Sequence, residues 1–558
     1  MSTDDARMSA ARERVAGLRT LLERQGGRPV RLVETHVSWV LLTERLAYKL
    51  KKPVRLPFLD FTTLAARRHS CEEELRLNRR LASELYRGLV EVVETADGAR
   101  FGGAGPVVDV AVRMERFPDG ALWSEKVAQG TLGPADVEVL ATRLARFHAQ
   151  ARVAPLSSRF GRAEVQERIT RRVVDAIAAA APAGSAAGGE QPAGAIAGLC
   201  DWLLAQVKVL APHWEARSQA GCIRECHGDL HLGNVVQLEN GPTAFDALEF
   251  DDELRWIDVQ DDIAFLVMDL LAHERPALAW RVLDAWLAAS GDHDGVPALR
   301  FYLVRRALVR AQVAALGGPV REDGTMACGA GPYRALAVRL ATPDARLAIT
   351  HGLPGSGKSH LARALLEAAG AIRIRSDVER KRLFGLPALA ASEGAVAGGI
   401  YDGATTTRTY ARLNAAADVA LRSGWPVIVD AAFLRQRERE DFAALAARLQ
   451  VPFTILDCKA PEAVLRERLR RRQAAGNDPS EADEAVLERL QQADQPLDAA
   501  EAKLAIDIDT TLPEAASRAA ERWRALASAP AVSVTSARPP DPAGAAPRAR
   551  CPARRSTG

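Results

Sequence analysis

The sequence predicts two domains in series: an α+β bilobal domain over residues 1–338, and an α/β domain with a parallel sheet over residues 345–527. Three observations predict this. The chain has 558 residues, well beyond the roughly 100–200 of a single domain. Strand-like runs crowd the first 115 residues and give way beyond 135 to mainly helical patterning. A Gly-rich loop then sits between an apolar strand at 346–350 and a helix-like run, HLARALLEAAG.

A helix is predicted at about 5–25, then β-like runs HVSWVLL (36–42) and LAYKLKK (46–52), joined by Thr43-Glu44-Arg45. A charged amphipathic helix follows at about 62–83, with strands near 88–95 and 107–115. The helical region is interrupted at about 222–250. Residues 178–198, rich in Ala, Gly and Pro, read as a flexible insertion inside the first domain. A Gly-containing stretch at 317–331 precedes the break between domains, expected near 335–345. Residues 528–558 have almost no large apolar side chains and read as a disordered tail. In the second domain, WPVIVDAAF (425–433) and PFTILDC (452–458) read as buried strands, and LRERLRRRQ (465–473) as an Arg-dense helix.

Composition narrows the class. Hydrophobic residues make up 48% and charged residues 26%, enough apolar material for two cores. The net charge of +3 comes from the tail, where five Arg stand against one Asp. A near-neutral body disfavours a nucleic-acid-coating protein. Seven scattered Cys with no CxxC pair suggest neither a disulfide framework nor a zinc site. There is no run of 18 uninterrupted apolar residues and no signal-like N-terminus, so a cytoplasmic protein without membrane contact is expected.

The first chemical constellation is CHGDLHLGN (226–234), followed by Asp246 in TAFDALEFDD. Phosphoryl transfer needs a carboxylate to orient the attacking hydroxyl, and an amide with a second carboxylate to hold Mg2+ against the phosphates. Asp229 suits the first role; Asn234 and Asp246 suit the metal roles. His231 reads as structural, and Cys222 and Cys226 as packing.

The run His227-Gly228-Asp229 with Asn234 resembles the catalytic loop of the aminoglycoside phosphotransferase and choline kinase group of the protein-kinase-like superfamily. The resemblance covers about residues 25–315. It implies a small-lobe Lys that grips the α/β-phosphates, Lys49 with Lys51 as runner-up. It also implies a helix Glu paired with that Lys, Glu74 with Glu73 second. The run VRMERFPDG (112–120) falls where the hinge between lobes should be, and the acidic residues of RWIDVQDDIAFL (255–266) read as structural support for the loop. No GxGxxG lies between residues 30 and 50, which leans away from a protein kinase.

The second constellation is RLAITHGLPGSGKS (346–359), where G-x-x-x-x-G-K-S runs from Gly352 to Ser359. A strand before it and a helix after it are what a phosphate-binding loop requires. The backbone of Gly352, Leu353, Pro354, Gly355, Ser356 and Gly357 would wrap the phosphates. Lys358 would reach the β/γ-phosphates, and Ser359 would ligate Mg2+. Asp430, closing the VIV strand, is expected to support the metal. Arg468 and Arg472 lie four apart on one helix face and are the candidates for a lid that closes over ATP.

This half, about 345–527, resembles the AAA_33 or zeta-toxin-like P-loop kinases, whose relatives include polynucleotide 5′-kinases. The resemblance implies that Asp377 lies near the acceptor hydroxyl and acts as base. Tyr401 and Tyr410 read first as packing and second as lining the acceptor pocket. The whole order resembles bacterial bifunctional aminoglycoside phosphotransferase/ATP-binding proteins. It implies an ATP- and Mg2+-dependent phosphotransferase, and the acceptors expected are hydroxyl groups of small molecules, aminoglycoside-like, sugar or related. Because each residue set is complete in itself, two independent centres are expected. Two alternatives stand beside it: the P-loop module is a polynucleotide or nucleoside 5′-kinase, or one module senses nucleotide for the other. A nucleic-acid partner is not favoured, and the sequence leaves the oligomeric state open.

Overall fold

A computed structural model of the chain describes residues 3–56, 59–179, 193–315, 329–390, 400, 402–476 and 478–525. The tail 528–558, Tyr401, and most of the stretches 178–198 and 317–331 lie outside the described residues.

Helix α1 (Thr3–Gly26) leads into a six-stranded antiparallel sheet: β1 (Arg31–Glu34), β2 (Ser38–Leu42), β3 (Leu46–Lys51), β4 (Tyr86–Thr95), β5 (Gly98–Phe101) and β6 (Val107–Glu115). The strand order is β1-β2-β3-β6-β4-β5. Helix α2 (Leu64–Ala82) packs on the sheet; its first turn is capped by Thr63, whose side chain accepts from the Ala66 amide. Sequence patterning did not anticipate β1 or β5. GARF in β5 has no apolar alternation, and its partner strand β4 fixes it through an antiparallel register from Val92↔Phe101 to Thr95↔Gly98.

The large lobe is helical: α3 (Pro134–Gln150), α4 (Ala163–Ala179), α5 (Ala193–Gln219), α6 (Val259–Ala272), α7 (Pro276–Ser290), α8 (Val296–Ala315) and α9 (Ala330–Ala341). Residues 193–198, expected as part of a flexible insertion, form the start of α5, because the helix continues unbroken into an apolar run that packs on α4, α8 and α9. Gly194–Gln219 of α5 is long and apolar enough to cross a membrane by length and composition. It nonetheless buries Arg217, ion-paired with Asp258. Every residue of α6 is buried. Between α5 and α6 lie the loop 226–234 and the hairpin of β7 (Val235–Leu238) and β8 (Gly241–Ala244).

The second half is an α/β fold on a five-stranded parallel sheet: β9 (Arg346–His351), β10 (Ile372–Arg375), β11 (Pro426–Asp430), β12 (Phe453–Lys459) and β13 (Ala505–Asp509), in the order β10-β11-β9-β12-β13. The helices that matter for the site are α10 (Lys358–Ala369), α11 (Ser376–Arg382), α12 (Gly403–Arg422), α13 (Gln436–Leu449), α14 (Glu462–Ala475) and α15 (Glu484–Ala493). β9 and β11 are buried end to end, as fully covered parallel strands are. In such sheets ligands gather at the carboxyl ends of the strands, where the Gly-rich loop and Asp430 both lie. The observed architecture is the predicted one, a bilobal α+β domain followed by a parallel α/β domain.

The two halves share one hydrophobic core. Trp280 of α7 meets Trp425 edge-on, ring centroids 6.0 Å apart. It also covers Gly370, the left-handed cap of α10, where a Cβ would lie 2.7 Å from the Trp280 ring. Arg300 of α8 donates to the carbonyls of Leu340 (2.6 Å), Thr342 (2.8 Å) and Gly424 (2.9 Å) and stacks over Trp425 at 4.3 Å. Burial pushes its pKa down to about 10. Arg300→Ala would remove the side-chain donor from three carbonyls at the seam, of which Gly424 keeps the Asp344 amide at 2.9 Å. It is expected to lower unfolding stability by about 2–4 kcal/mol, read from chemical denaturation, whereas an effect below about 0.5 kcal/mol would show that the seam contributes little.

Candidate active sites

The first site is built around a loop fixed by buried acids. Gly228 adopts φ +83°, and a Cβ there would lie 2.8 Å from the Leu254 carbonyl, so glycine is required. The amides of His227 and Gly228 donate to Asp262 at 3.1 and 2.9 Å. The amide of Leu232 donates to Asp269 at 2.9 Å. Asp262 also meets His148 Nε2 at 2.9 Å, and Trp286 Nε1–H donates to His148 Nδ1 at 3.0 Å. Burial opposes ionisation of Asp262, but His148, His227 and the Gly228 amide outweigh it and hold the carboxyl at about 2. His148, Cys226 and Asp262 cluster closely enough to suggest a metal site. Their atoms are already engaged, Cys226 with the Ile257 carbonyl, so the cluster braces the loop. The acids of segment 255–266 thus do support the loop.

His227 is fully buried, which lowers its pKa, and its Nε2 bonds the Phe245 carbonyl at 2.9 Å while Nδ1 faces the Asp229 amide at 3.3 Å. Only the neutral Nε2–H tautomer satisfies both contacts. Asp229 is partly exposed. Its partial burial favours the neutral acid, but His231, Arg310 and His227 hold it ionised, below the usual carboxylate range. Asn234 Nδ2 donates to Asp229 Oδ2 at 3.0 Å and to its carbonyl at 2.9 Å. His231 caps the short turn Leu232–Asn234, accepting from Gly233, and turns Nε2 towards Asp229 at 3.5 Å.

The hairpin register Val235↔Ala244 and the Phe245 amide bond to Asn234 (2.9 Å) bring Asp246 round to the same cleft. Asp246 has φ +62°, and its amide donates to Tyr86 Oη at 3.1 Å. Lys49 pairs with Asp246 and lies 3.0 Å from Glu74. Lys51, on the same strand face, is sealed beneath it, 2.5 Å from both Glu74 and Glu249. Glu73 turns away to Arg76 at 2.8 Å. The structure therefore gathers Lys49, Glu74, Asp229, Asn234 and Asp246. Asn234 Oδ1, left over when Nδ2 donates to Asp229, and the partly exposed Asp246 carboxylate are a donor set suited to Mg2+.

In the second site the loop is a backbone cage. Gly352, Gly355 and Gly357 have φ of +134°, +81° and +89°. A Cβ on the first two would lie 2.5 Å from the Cys458 carbonyl and 2.7 Å from the Leu465 carbonyl. Ser356 is buried, and Leu353 packs against Leu465 and Leu469. Lys358 Nζ folds onto the Leu353 carbonyl at 2.8 Å, and burial lowers its pKa. Ser359 Oγ donates to Asp430 Oδ1 at 3.1 Å. The buried Asp430 Oδ2 accepts no hydrogen bond, with Arg375 Nε 3.2 Å away. A glycine cage, a lysine, a hydroxyl and a carboxylate oxygen that accepts no hydrogen bond fit a Mg2+-nucleotide.

Gly355, Gly357, Lys358, Ser359 and Asp430 line a cavity of about 470 Å³ together with Pro354, Asp377, Tyr410, Arg468 and Arg472. Asp377, in the first turn of α11, makes no side-chain hydrogen bond or ion pair among the described residues. Arg468 is tied down, donating to the Gly355 carbonyl (3.2 Å) and Thr510 Oγ1 (2.9 Å), and Arg472 donates to the Ala482 carbonyl at 2.7 Å. Tyr410 both lines the cavity and accepts from the Phe433 amide at 3.1 Å. Sequence reasoning missed Arg373, Arg375 and Thr510. Two arginines alternating within the otherwise buried strand IRIR were the available signal.

Residues 347–497 match the AAA_33 family, described as an AAA domain. Over 464 residues the chain is 31% identical to the protein Rv2004c of Mycobacterium tuberculosis, covering 83% of this chain and 90% of that one, and the Mycobacterium bovis protein Mb2027c matches to the same extent. The chain belongs to the family of these mycobacterial proteins. Among solved structures it is similar to a putative kinase from Chloroflexus aurantiacus (21% identity, 33% of this chain and 96% of that one, TM-score 0.27). It is also similar to a choline kinase from Cryptosporidium parvum (10%, 56% and 87%, TM-score 0.34). A third is a choline/ethanolamine kinase family protein from Mesorhizobium loti (13%, 60% and 92%, TM-score 0.34).

Gly385 provides a control for the loop glycine. It also has positive φ (+69°), but nothing lies within 4 Å of its would-be Cβ. Gly385→Ala should cost only backbone strain, about 1–2 kcal/mol. Gly228→Ala adds the Leu254 clash and should cost clearly more in urea unfolding. Equal costs would mean that the loop relaxes and does not depend on Gly228.

Proposed function

We propose that the chain is an ATP-dependent phosphotransferase with two kinase-like centres, each passing the γ-phosphate of ATP to a hydroxyl group of a small molecule. The observation that carries this reading is the second cavity, where Lys358, Ser359, Asp430 and an unpartnered Asp377 surround one glycine-caged loop. A cavity of about 470 Å³ is of the size that holds small ligands. The first cleft repeats the same inventory on a different fold: a lysine held by a glutamate, a carboxylate base, and an amide–carboxylate pair.

When bound, Mg2+ would offset phosphate charge at Asn234 and Asp246 and at Ser359 and Asp430. The chain's own groups do the rest. Lys49 and Lys358 are cations held in place to meet phosphate oxygens. Asp229 is kept ionised by His231, so it can accept or orient the proton of an acceptor hydroxyl. Asp377 stands free to do the same in the second cavity. The acceptors proposed are aminoglycoside-like compounds, sugars and related amino alcohols.

The test is transfer from γ-labelled ATP to pools of amino alcohols, sugars, aminoglycosides and oligonucleotides. A product whose formation falls ~10²–10⁴-fold in Asp229→Asn, with ATP affinity little changed, belongs to the first site. One that falls likewise in Asp377→Asn belongs to the second. Near-normal turnover by both variants contradicts the assignment, and label appearing only on oligonucleotides would replace the small-molecule acceptor of the second site by a nucleic-acid end.

A further inference from the structure

Arg373 lies on β10 with its side chain almost fully buried, and its carboxylate partner comes from the other half of the chain. Asp284 of α7 receives Nε at 3.0 Å and Nη2 at 2.6 Å, a bidentate pair. The third nitrogen, Nη1, lies 3.3 Å from the Ser359 carbonyl and 3.8 Å from Asp430 Oδ2. Asp430 therefore faces two guanidiniums, Arg373 and Arg375, and each has a second acid: Asp284 for the former and Asp478, at 3.4 Å, for the latter.

We propose that Asp284 is a positioning residue of the second site: by engaging Arg373 it holds that guanidinium 3.8 Å from Asp430 Oδ2, beyond hydrogen-bond reach, so that a divalent cation competes there with Arg375 alone. The inference rests on reading Ser359 and Asp430 as the Mg2+ donors. The physical reason is competition. A carboxylate can be taken by an arginine fork or by a metal, and a bidentate fork is among the strongest pairings available to it. A buried guanidinium deprived of its anion is strongly penalised and turns to the nearest carboxylate. With Asp284 removed, that carboxylate is Asp430. The site in the P-loop half is thus finished by a side chain from the kinase-like half, so the two centres are not independent as the sequence suggested.

The same seam supplies its own control. Arg281, on the same helix, pairs with Glu367 at 2.5 Å and Glu138 at 3.0 Å, joining the halves without touching Arg373. If Asp284 only glued the halves together, Arg281→Ala would mimic its loss.

The experiment titrates Mg2+ into the full-length protein with a fluorescent ATP analogue, in an Asp246→Ala background that silences Mg2+ binding at the first site. Asp284→Asn is expected to raise the Mg2+ concentration for half-maximal nucleotide binding about 10- to 100-fold, with Mg2+-free binding unchanged. Removing both partners, in Asp284→Asn/Arg373→Met, should bring it back to within about twofold of the parent, and Arg281→Ala should leave it there. No shift in Asp284→Asn, an equal shift in Arg281→Ala, or no recovery in the double variant overturns the proposal. Should Asp284→Asn not fold, the double variant, which buries no unpaired charge, decides: a raised Mg2+ requirement there overturns it. If Lys358→Ala in the same background binds nucleotide as the parent does, the P-loop reading has failed, which is a separate outcome.

Discussion

A charge buried without a partner costs several kcal/mol, and both sites are organised by that constraint. In the first half Asp258, Asp261 and Asp262 are all fully buried on the first turn of α6 or at its cap. Each is answered by a specific cation or set of donors: Arg217 for Asp258, Arg305 and Arg306 for Asp261, His148 and two loop amides for Asp262. Arg306 also donates to the Gly228 carbonyl at 3.2 Å. The loop that carries Asp229 is thereby held from both its amide and its carbonyl side. Its geometry follows from satisfying acids that the fold buries.

The same logic runs through α7 into the second half. Trp286, on one side of the helix, reaches the first loop through His148 and Asp262. Asp284, two residues earlier, reaches the second loop through Arg373. The neighbouring turn Asp292–His293 continues the seam, with Asp292 on Arg217 and His293 3.4 Å from Glu379 in α11, the helix that bears Asp377. Residues 284–293 thus touch groups that position the segments carrying Asp229 and Asp377. Two modules with different folds share one packed, ion-paired boundary.

Much of this was legible in the sequence, and the reason is local. HGDxxxxN and GxxxxGKS place their chemistry within nine residues each, so spacing alone assembles most of either loop. The alternation of Lys49 and Lys51 on one strand face was readable too, as was Glu74 on the following helix. Long-range pairing was not. Which of the two lysines meets Asp246 depends on a chain separation of 197 residues. Arg373 was passed over because its partner lies 89 residues away, in the other half. Arg468 read as a mobile lid residue from its Arg-dense helix, yet it clamps Gly355 and Thr510, the latter beyond a strand that patterning had passed over. A short strand such as β5 depends on its neighbour for its register and leaves little trace in its own residues.

The central claim is that one chain holds two nucleotide sites, one built round Lys49, Asn234 and Asp246 and the other round Lys358, Ser359 and Asp430. Titration calorimetry of the full-length protein with a non-hydrolysable ATP analogue and Mg2+ tests it most directly. The account predicts two sites in the wild type and one in Lys358→Ala. A wild-type stoichiometry of one, with Lys358→Ala binding none, would contradict it and leave the kinase-like half as a fold without a nucleotide.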